Sequence, residues 1–305
     1  MKQWTGGKKM SIGIVVFLVF VSLVAAARLW QMGTTARDLL LYPARLPVTE
    51  SPADFGLADW EPVSLTAADG IEIAGWYFPP DENGAALVMV HGFSANRTKM
   101  LAETAILTRH GYGALLIDLR NHGDSGGDVT TWGYDEWLDV QAGVNYLLSR
   151  PEVNPDKIGL MGKSMGSAAM VIAASRLPEV KAVVAMSTYA GFPDNLRSLT
   201  MRIGGRPEWL APLVLRQMAW KTGRPLAEVR PVAEIGNYQG AILFMHGAHD
   251  EIVNPKHSQE LFAAANEPKF LYLQPDAGHI NILASDPIEF ENQLITFFDT
   301  YLQDN

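Results

Sequence analysis

The chain has no cysteine. That excludes disulfides, thiolate metal sites and a cysteine nucleophile, and leaves the redox compartment open. It has no basic excess either. Lys and Arg number 24 against 33 Asp and Glu, a net charge of −9, so no domain carries the electrostatic footprint of a nucleic-acid binder. Internal repeats and low-complexity tracts are missing. What remains is a chain of 305 residues, 48 % hydrophobic, ample for a sizeable core in one large α/β domain or two smaller ones.

One further absence decides between two chemistries. The stretch KIGLMGKSMGSAAM, Lys157 to Met170, contains the Gly-Lys-Ser tail of a phosphate-binding loop. Such a loop needs a glycine five residues ahead of that Gly-Lys, and the position is Lys157. The other reading is Gly-x-Ser-x-Gly, with Gly162 and Gly166 flanking Ser164. A short apolar strand precedes it and a run of small and apolar residues follows, the strand-to-helix setting of a nucleophile elbow. Alone the pattern is common; it needs partners elsewhere in the chain.

Charge is lacking over MSIGIVVFLVFVSLVAAA, Met10 to Ala27. These residues span roughly 27 Å as a helix, just short of a hydrocarbon core. Lys2, Lys8 and Lys9 precede them and Arg28 and Arg37 follow. The modest bias predicts residues 1–9 in the cytoplasm and the rest of the chain on the outer side of a single-pass membrane protein. Trp4 and Trp30 are placed for the two interfaces. The alternative is a signal peptide cleaved near Ala25–Ala27, leaving a secreted or periplasmic domain.

Beyond a connector predicted over residues 28–58, with Pro43, Pro47 and Pro52, apolar strands alternate with helical patterns. PVSLTA and IEIAGWYF form a hairpin around Asp69-Gly70; AALVMV, GYGALLI, KIGLMG, KAVVAMS, AILFM and KFLYLQ follow as strands. A βαβ sheet carries its active groups beyond the carboxyl ends of its strands. Those positions hold HGFS (91–94), DLRNHGDSGG (118–127), the serine turn, HGAHD (246–250) and DAGHIN (276–281). They supply Ser164, Asp250 and His279 in that chain order.

Jointly these motifs resemble the α/β-hydrolase superfamily, in the branch of serine esterases, monoacylglycerol lipases and serine aminopeptidase-type domains. The resemblance covers roughly residues 60 to 303. It implies an eight-stranded, mostly parallel sheet flanked by helices over residues 59–305, with a cap inserted after the sixth strand at about 191–238. It implies Ser164 as nucleophile, His279 as base and Asp250 as its partner. The backbone N–H groups of Phe93 and Met165 would form the oxyanion hole. No cofactor or metal is called for. Lys163 departs from the residues usual before the serine. Asp276 and Glu251 are rival acids. His91, His122 and His246 read as packing and hydrogen-bonding groups. The spacing of His246 and His249 lacks a third ligand for a metal.

The cap contains an apolar stripe, Trp209, Leu210, Leu213, Val214, Met218 and Trp220, read first as packing and secondly as the lining of an acyl pocket. The expected partners are a small-molecule acyl substrate and the bilayer around residues 10–27. The expected activity is ester hydrolysis, with a serine peptidase, for which Glu208, Glu228 and Glu234 could bind an amino terminus, and a non-catalytic scaffold as alternatives. Oligomeric state is not legible.

Overall fold

The computed structural model describes residues 6–279 and 281–303; Lys2 and Trp4 of the expected cytoplasmic end lie outside them. Eight strands make one sheet: β1 Glu61–Thr66, β2 Glu72–Phe78, β3 Ala86–Val90, β4 Gly113–Ile117, β5 Ile158–Lys163, β6 Val180–Met186, β7 Ala241–Gly247 and β8 Lys269–Gln274. Their order is β1-β2-β4-β3-β5-β6-β7-β8. β1 and β2 form an antiparallel hairpin, turned at Gly70 with φ +86°, a backbone that only glycine adopts freely. β2 is antiparallel to β4, and every pairing from β4 to β8 is parallel. The sheet is therefore mixed, with the parallel part forming its bulk. This is the α/β-hydrolase arrangement.

The central strands are apolar throughout because both faces are covered. β3 sends Val88 and Val90 into one core and Leu87 and Met89 into the other. The first core is roofed by α3 Trp137–Leu148, α4 Ser164–Ala174 and α8 Lys256–Ala264; the second by α2 Leu101–Arg109 and α10 Pro287–Phe298, which follows the short α9 Ile282–Ser285.

Between β6 and β7 the chain leaves the sheet for α5 Phe192–Arg202, α6 Ala211–Thr222 and α7 Pro231–Glu234. The apolar stripe divides here. Leu210, Val214 and Met218 are buried, while Trp209 and Trp220 are 62 % and 75 % exposed. Trp209 precedes α6 in a tighter turn, and Trp220 shares its helix face with Arg216, four residues back, rather than with Met218.

The N-terminal helix α1 runs from Gly6 to Leu41, about 54 Å at helical rise. Residues 28–41, read as connector from the later prolines, are thus helical: the first helix-breaking proline is Pro43. The helix has two surroundings. Residues 12–27 are exposed on every side, whereas Ala36, Leu40 and Leu41 are fully buried against the cap and the loop after β4. Length and composition suffice for Ile12–Leu41 to cross a membrane, and its most apolar window is covered by nothing else among the described residues.

Candidate active site

Ser164 stands at the junction of β5 and α4 with φ +52°. The glycines around it are required by contact. A Cβ at Gly166 would lie 2.1 Å from the His91 carbonyl, and one at Gly162 would lie 3.1 Å from the Ser167 backbone. A strained serine on a turn this tight is the elbow that the spacing predicted.

The three distant segments meet. Ser164 Oγ is 2.9 Å from His279 Nε2, and His279 Nδ1 is 2.7 Å from Asp250 Oδ2. With the carboxylate as acceptor, Nδ1 carries the proton and Nε2 is left to accept from the serine hydroxyl. Burial opposes charge on Asp250. Hydrogen bonds from His246, His279 and the Val253 N–H outweigh it and hold the carboxyl well below the usual carboxylate range. The rival acids are elsewhere: Glu251 pairs with Arg202 at 2.9 Å, and Asp276 shapes its own loop, its carbonyl accepting from Ser285.

His246 is a buried hydrogen-bonding group beside the site, and it contacts Asp250 directly. Its Nε2 lies 3.0 Å from Asp250 Oδ2 and 2.9 Å from the Val253 carbonyl, and its Nδ1 lies 2.6 Å from Ser258 Oγ. The carbonyl and the carboxylate both demand a proton on Nε2, so Nδ1 accepts from the serine. Both ring nitrogens are occupied within the protein, which removes His246 from the metal pair its spacing suggested. Ser187, also just past a strand, donates to the His279 carbonyl at 2.8 Å and escaped the sequence reading. Its signal was that same strand-end position.

The loop after β3 is fastened on several sides. His91 Nδ1 donates to Gly92 O at 2.7 Å and its Nε2 accepts from Leu119 N–H at 3.0 Å. His122 Nδ1 donates to Arg120 O and its Nε2 accepts from Ser94 N–H at 3.2 Å. Asp118 accepts from the Arg97 N–H and pairs with its guanidinium. Burial pushes His91 down to about 3, with the neighbouring His122 adding to it, and pushes His122 down as well. Both rings are therefore neutral hydrogen-bonding groups. Gly92 packs against the elbow: a Cβ there would sit 3.4 Å from Ser164 Cβ. Beside it, the Phe93 N–H has no hydrogen-bond acceptor among the described residues. The Met165 N–H belongs to the first turn of α4, where intrahelical acceptors are lacking. Lys163 turns aside, bonding Glu103 at 2.6 Å and the Lys99 carbonyl at 2.8 Å.

An aromatic stack links this loop to the cap. The Phe93 ring lies on Trp132 at 4.5 Å between centroids, and Trp132 on Phe192 at 5.0 Å. Trp132 Nε1–H donates to the Leu40 carbonyl of α1 at 3.0 Å.

The profile of the prolyl oligopeptidase family, Peptidase_S9, matches residues 98–305. The chain belongs to that family. It is a hydrolase of the α/β-hydrolase type. It is 26 % identical over 273 residues to YfhR of Escherichia coli K12, covering 87 % of each chain. It is 28 % identical over 267 residues to a Mycobacterium tuberculosis protein, covering 86 % of each. Among solved structures it resembles an esterase of Pyrococcus furiosus, with a TM-score of 0.70, 26 % identity, and coverage of 85 % of this chain and 99 % of that one.

Proposed function

We propose that this family member is a membrane-tethered serine hydrolase that cleaves carboxylic esters through an acyl-enzyme intermediate on Ser164. The observation that carries the reading is the unbroken hydrogen-bonded line from Ser164 Oγ through His279 to Asp250. A serine hydroxyl becomes an effective nucleophile when a base takes its proton. Ser164 Oγ attacks the ester carbonyl carbon as His279 Nε2 accepts that proton. The resulting oxyanion is held by the Phe93 and Met165 N–H groups, each such donor contributing about 3 kcal/mol in the transition state. The protonated His279, stabilised by Asp250, returns the proton to the departing alkoxide, and water then repeats the sequence to release the acid. The uncovered apolar half of α1 supports the tether, with the N-terminus on the cytoplasmic side and the hydrolase domain outside.

An esterase among the structural relatives supports the ester substrate. The family's own description favours a second reading, amide or peptide hydrolysis by the same groups. Turnover of p-nitrophenyl acyl esters against aminoacyl-nitroanilides separates them. Ester turnover well above anilide turnover supports the first reading, and the reverse ratio replaces it. Labelling of Ser164 by a fluorophosphonate probe is expected. Ser164→Ala should abolish labelling and lower the rate by about 10⁶-fold, with the far-UV circular dichroism unchanged. Retained activity in that variant would overturn the assignment.

A further inference from the structure

The cap differs in charge from the rest of the chain. Arg197, Arg202, Arg206, Arg216, Lys221 and Arg224 fall within 197–224, where Glu208 is the one acid, although the chain as a whole carries −9. Arg202 pairs with Glu251 and Arg224 with Asp135. Arg197, Arg216 and Lys221 are exposed and in no ion pair among the described residues.

The exposed faces of the two cap helices repeat one arrangement. In α5, Arg197 and Met201 stand four residues apart on the exposed side; in α6, Arg216 and Trp220 do the same. Met201 is 44 % exposed and Trp220 75 %. A cation beside a large apolar side chain, present once on each of the two helices, suits the boundary of an anionic bilayer. There the cation meets phosphate and the apolar group enters the headgroup layer.

The cap that carries this face is packed on α1. Gly204, just after α5, is packed against Ala36, while Gln217 meets Gly33 and donates to the Trp30 carbonyl at 3.1 Å. From Gly204 to Gln217 the cap therefore climbs α1 from residue 36 to residue 30. Trp220 and Lys221 follow within the next turn of α6, and the exposed apolar segment of α1 ends three residues before Trp30.

We infer that the basic, tryptophan-bearing face of the cap rests on the anionic lipid surface into which α1 runs. The cap that borders Ser164 through Phe192, Trp132 and Phe93 then works at the headgroup layer. Its substrates would be acyl lipids drawn from the same bilayer. The inference rests on the membrane-tethered reading and goes beyond it, since a tether alone leaves the domain free to stand clear of the surface.

The absence of cysteine allows single labels without background. Full-length Lys221→Cys and Asp156→Cys, each carrying one fluorophore, are reconstituted in phosphatidylcholine vesicles with or without phosphatidylglycerol. The lipids bear a nitroxide quencher on the headgroup. Asp156 precedes β5, at the end of the sheet remote from the elbow. Quenching at position 221 should exceed that at 156 by about threefold or more in the anionic vesicles, and should fall with added salt. Arg197→Glu with Arg216→Glu should reduce it likewise, with turnover of a water-soluble ester unchanged. Equal quenching at 221 and 156 in both vesicle types would overturn the inference and leave the basic face to an acidic protein partner. A Leu18→Cys label and an acyl-chain nitroxide report on the tether separately. No quenching at 18 removes tether and inference together; quenching at 18 but not at 221 removes the inference alone. Neither outcome bears on the ester chemistry at Ser164.

Discussion

Residues 12–27 and 30–41 belong to one unbroken helix, yet among the described residues only the second part is buried against the rest of the chain. In the first, apolar residues point in every direction and none is covered. In the second, the buried positions are Gly33, Ala36, Leu40 and Leu41, a spacing of three, four and one that marks a single helix face. Gly33 and Ala36 are small enough to let Gln217 and Gly204 approach closely. The backbone carbonyls of Leu40 and Leu41 receive hydrogen bonds from Trp132, Asn121 and Thr130. The same secondary structure therefore has two surroundings. The outer half has the length and composition of a membrane span, and the inner half packs into the hydrolase domain.

The strongest way to break this comparison is to cut the helix at two places. Removing residues 1–27 should leave turnover of a short soluble ester within about twofold, because residues 12–27 are exposed on every side. Removing residues 1–41 strips Leu40 and Leu41 from the core. Each buried leucine contributes about 2 kcal/mol or more, and the Trp132 stack beneath Phe93 loses its support. The longer deletion should lower the melting temperature sharply and the rate by about 100-fold. Equal behaviour of the two truncations would show that the inner half is an ornament. A point version is gentler. Leu41→Ala should destabilise the domain by about 2–5 kcal/mol in urea denaturation, and Leu18→Ala by less than about 0.5 kcal/mol.

Acid should separate the halves by a different route. The folded-state pKa of His91 is pushed down to about 3 from an ordinary 6.5, by burial first and by His122 second. Between those values the unfolded chain binds a proton that the folded chain refuses, so stability rises with pH. The contribution is complete above pH 6.5 and is lost as pH falls toward 3. From 6.5 to 5 it amounts to about 2 kcal/mol for His91 alone, and His122, shifted the same way, adds to it. Protonated His91 would also lose the acceptor for the Leu119 N–H. Hydrogen exchange in lipid should show protection of residues 30–41 weakening with the domain over this window, while residues 12–27 stay protected. Protection lost together in both halves would mean that the outer half has no lipid-borne stability of its own.

These contrasts also explain what the sequence made legible. The central strands were readable because burial on both faces leaves continuous apolar runs, as in ALVMV and GALLI. The site was readable because its residues follow strand ends. Ser164, His279 and Asp250 were named from motif and order, and they meet within 2.9 Å and 2.7 Å. The inner half of α1 was hidden because its docking face uses Gly33 and Ala36, which give little hydrophobic signal, and the nearby prolines read as a connector. The contact of His246 with Asp250 was equally hidden. Nothing in HGAHD says that the first histidine turns back onto the aspartate four residues later. The two cap tryptophans were counted in one linear stripe, but Trp209 precedes the start of α6 and Trp220 lies on its Arg216 face.

The finest probe of the comparison is the single hydrogen bond joining the inner helix to the site. Trp132→Phe keeps an aromatic ring to stack on Phe93 and Phe192 but removes the Nε1–H that satisfies the Leu40 carbonyl. Losing one partner of a buried pair costs about 1–2 kcal/mol, and the smaller ring leaves some space above it. If the inner half merely adds stability, the urea midpoint should drop and kcat should hold. If it positions the loop whose Phe93 N–H would hold the oxyanion, kcat should also fall several-fold, with KM for a short ester little changed, because a misplaced donor weakens the transition state more than the bound substrate. The second pattern is the expected one. Trp132 bridges α1 and Phe93, so a shift at Leu40 has a direct mechanical path to the group that would hold the developing charge.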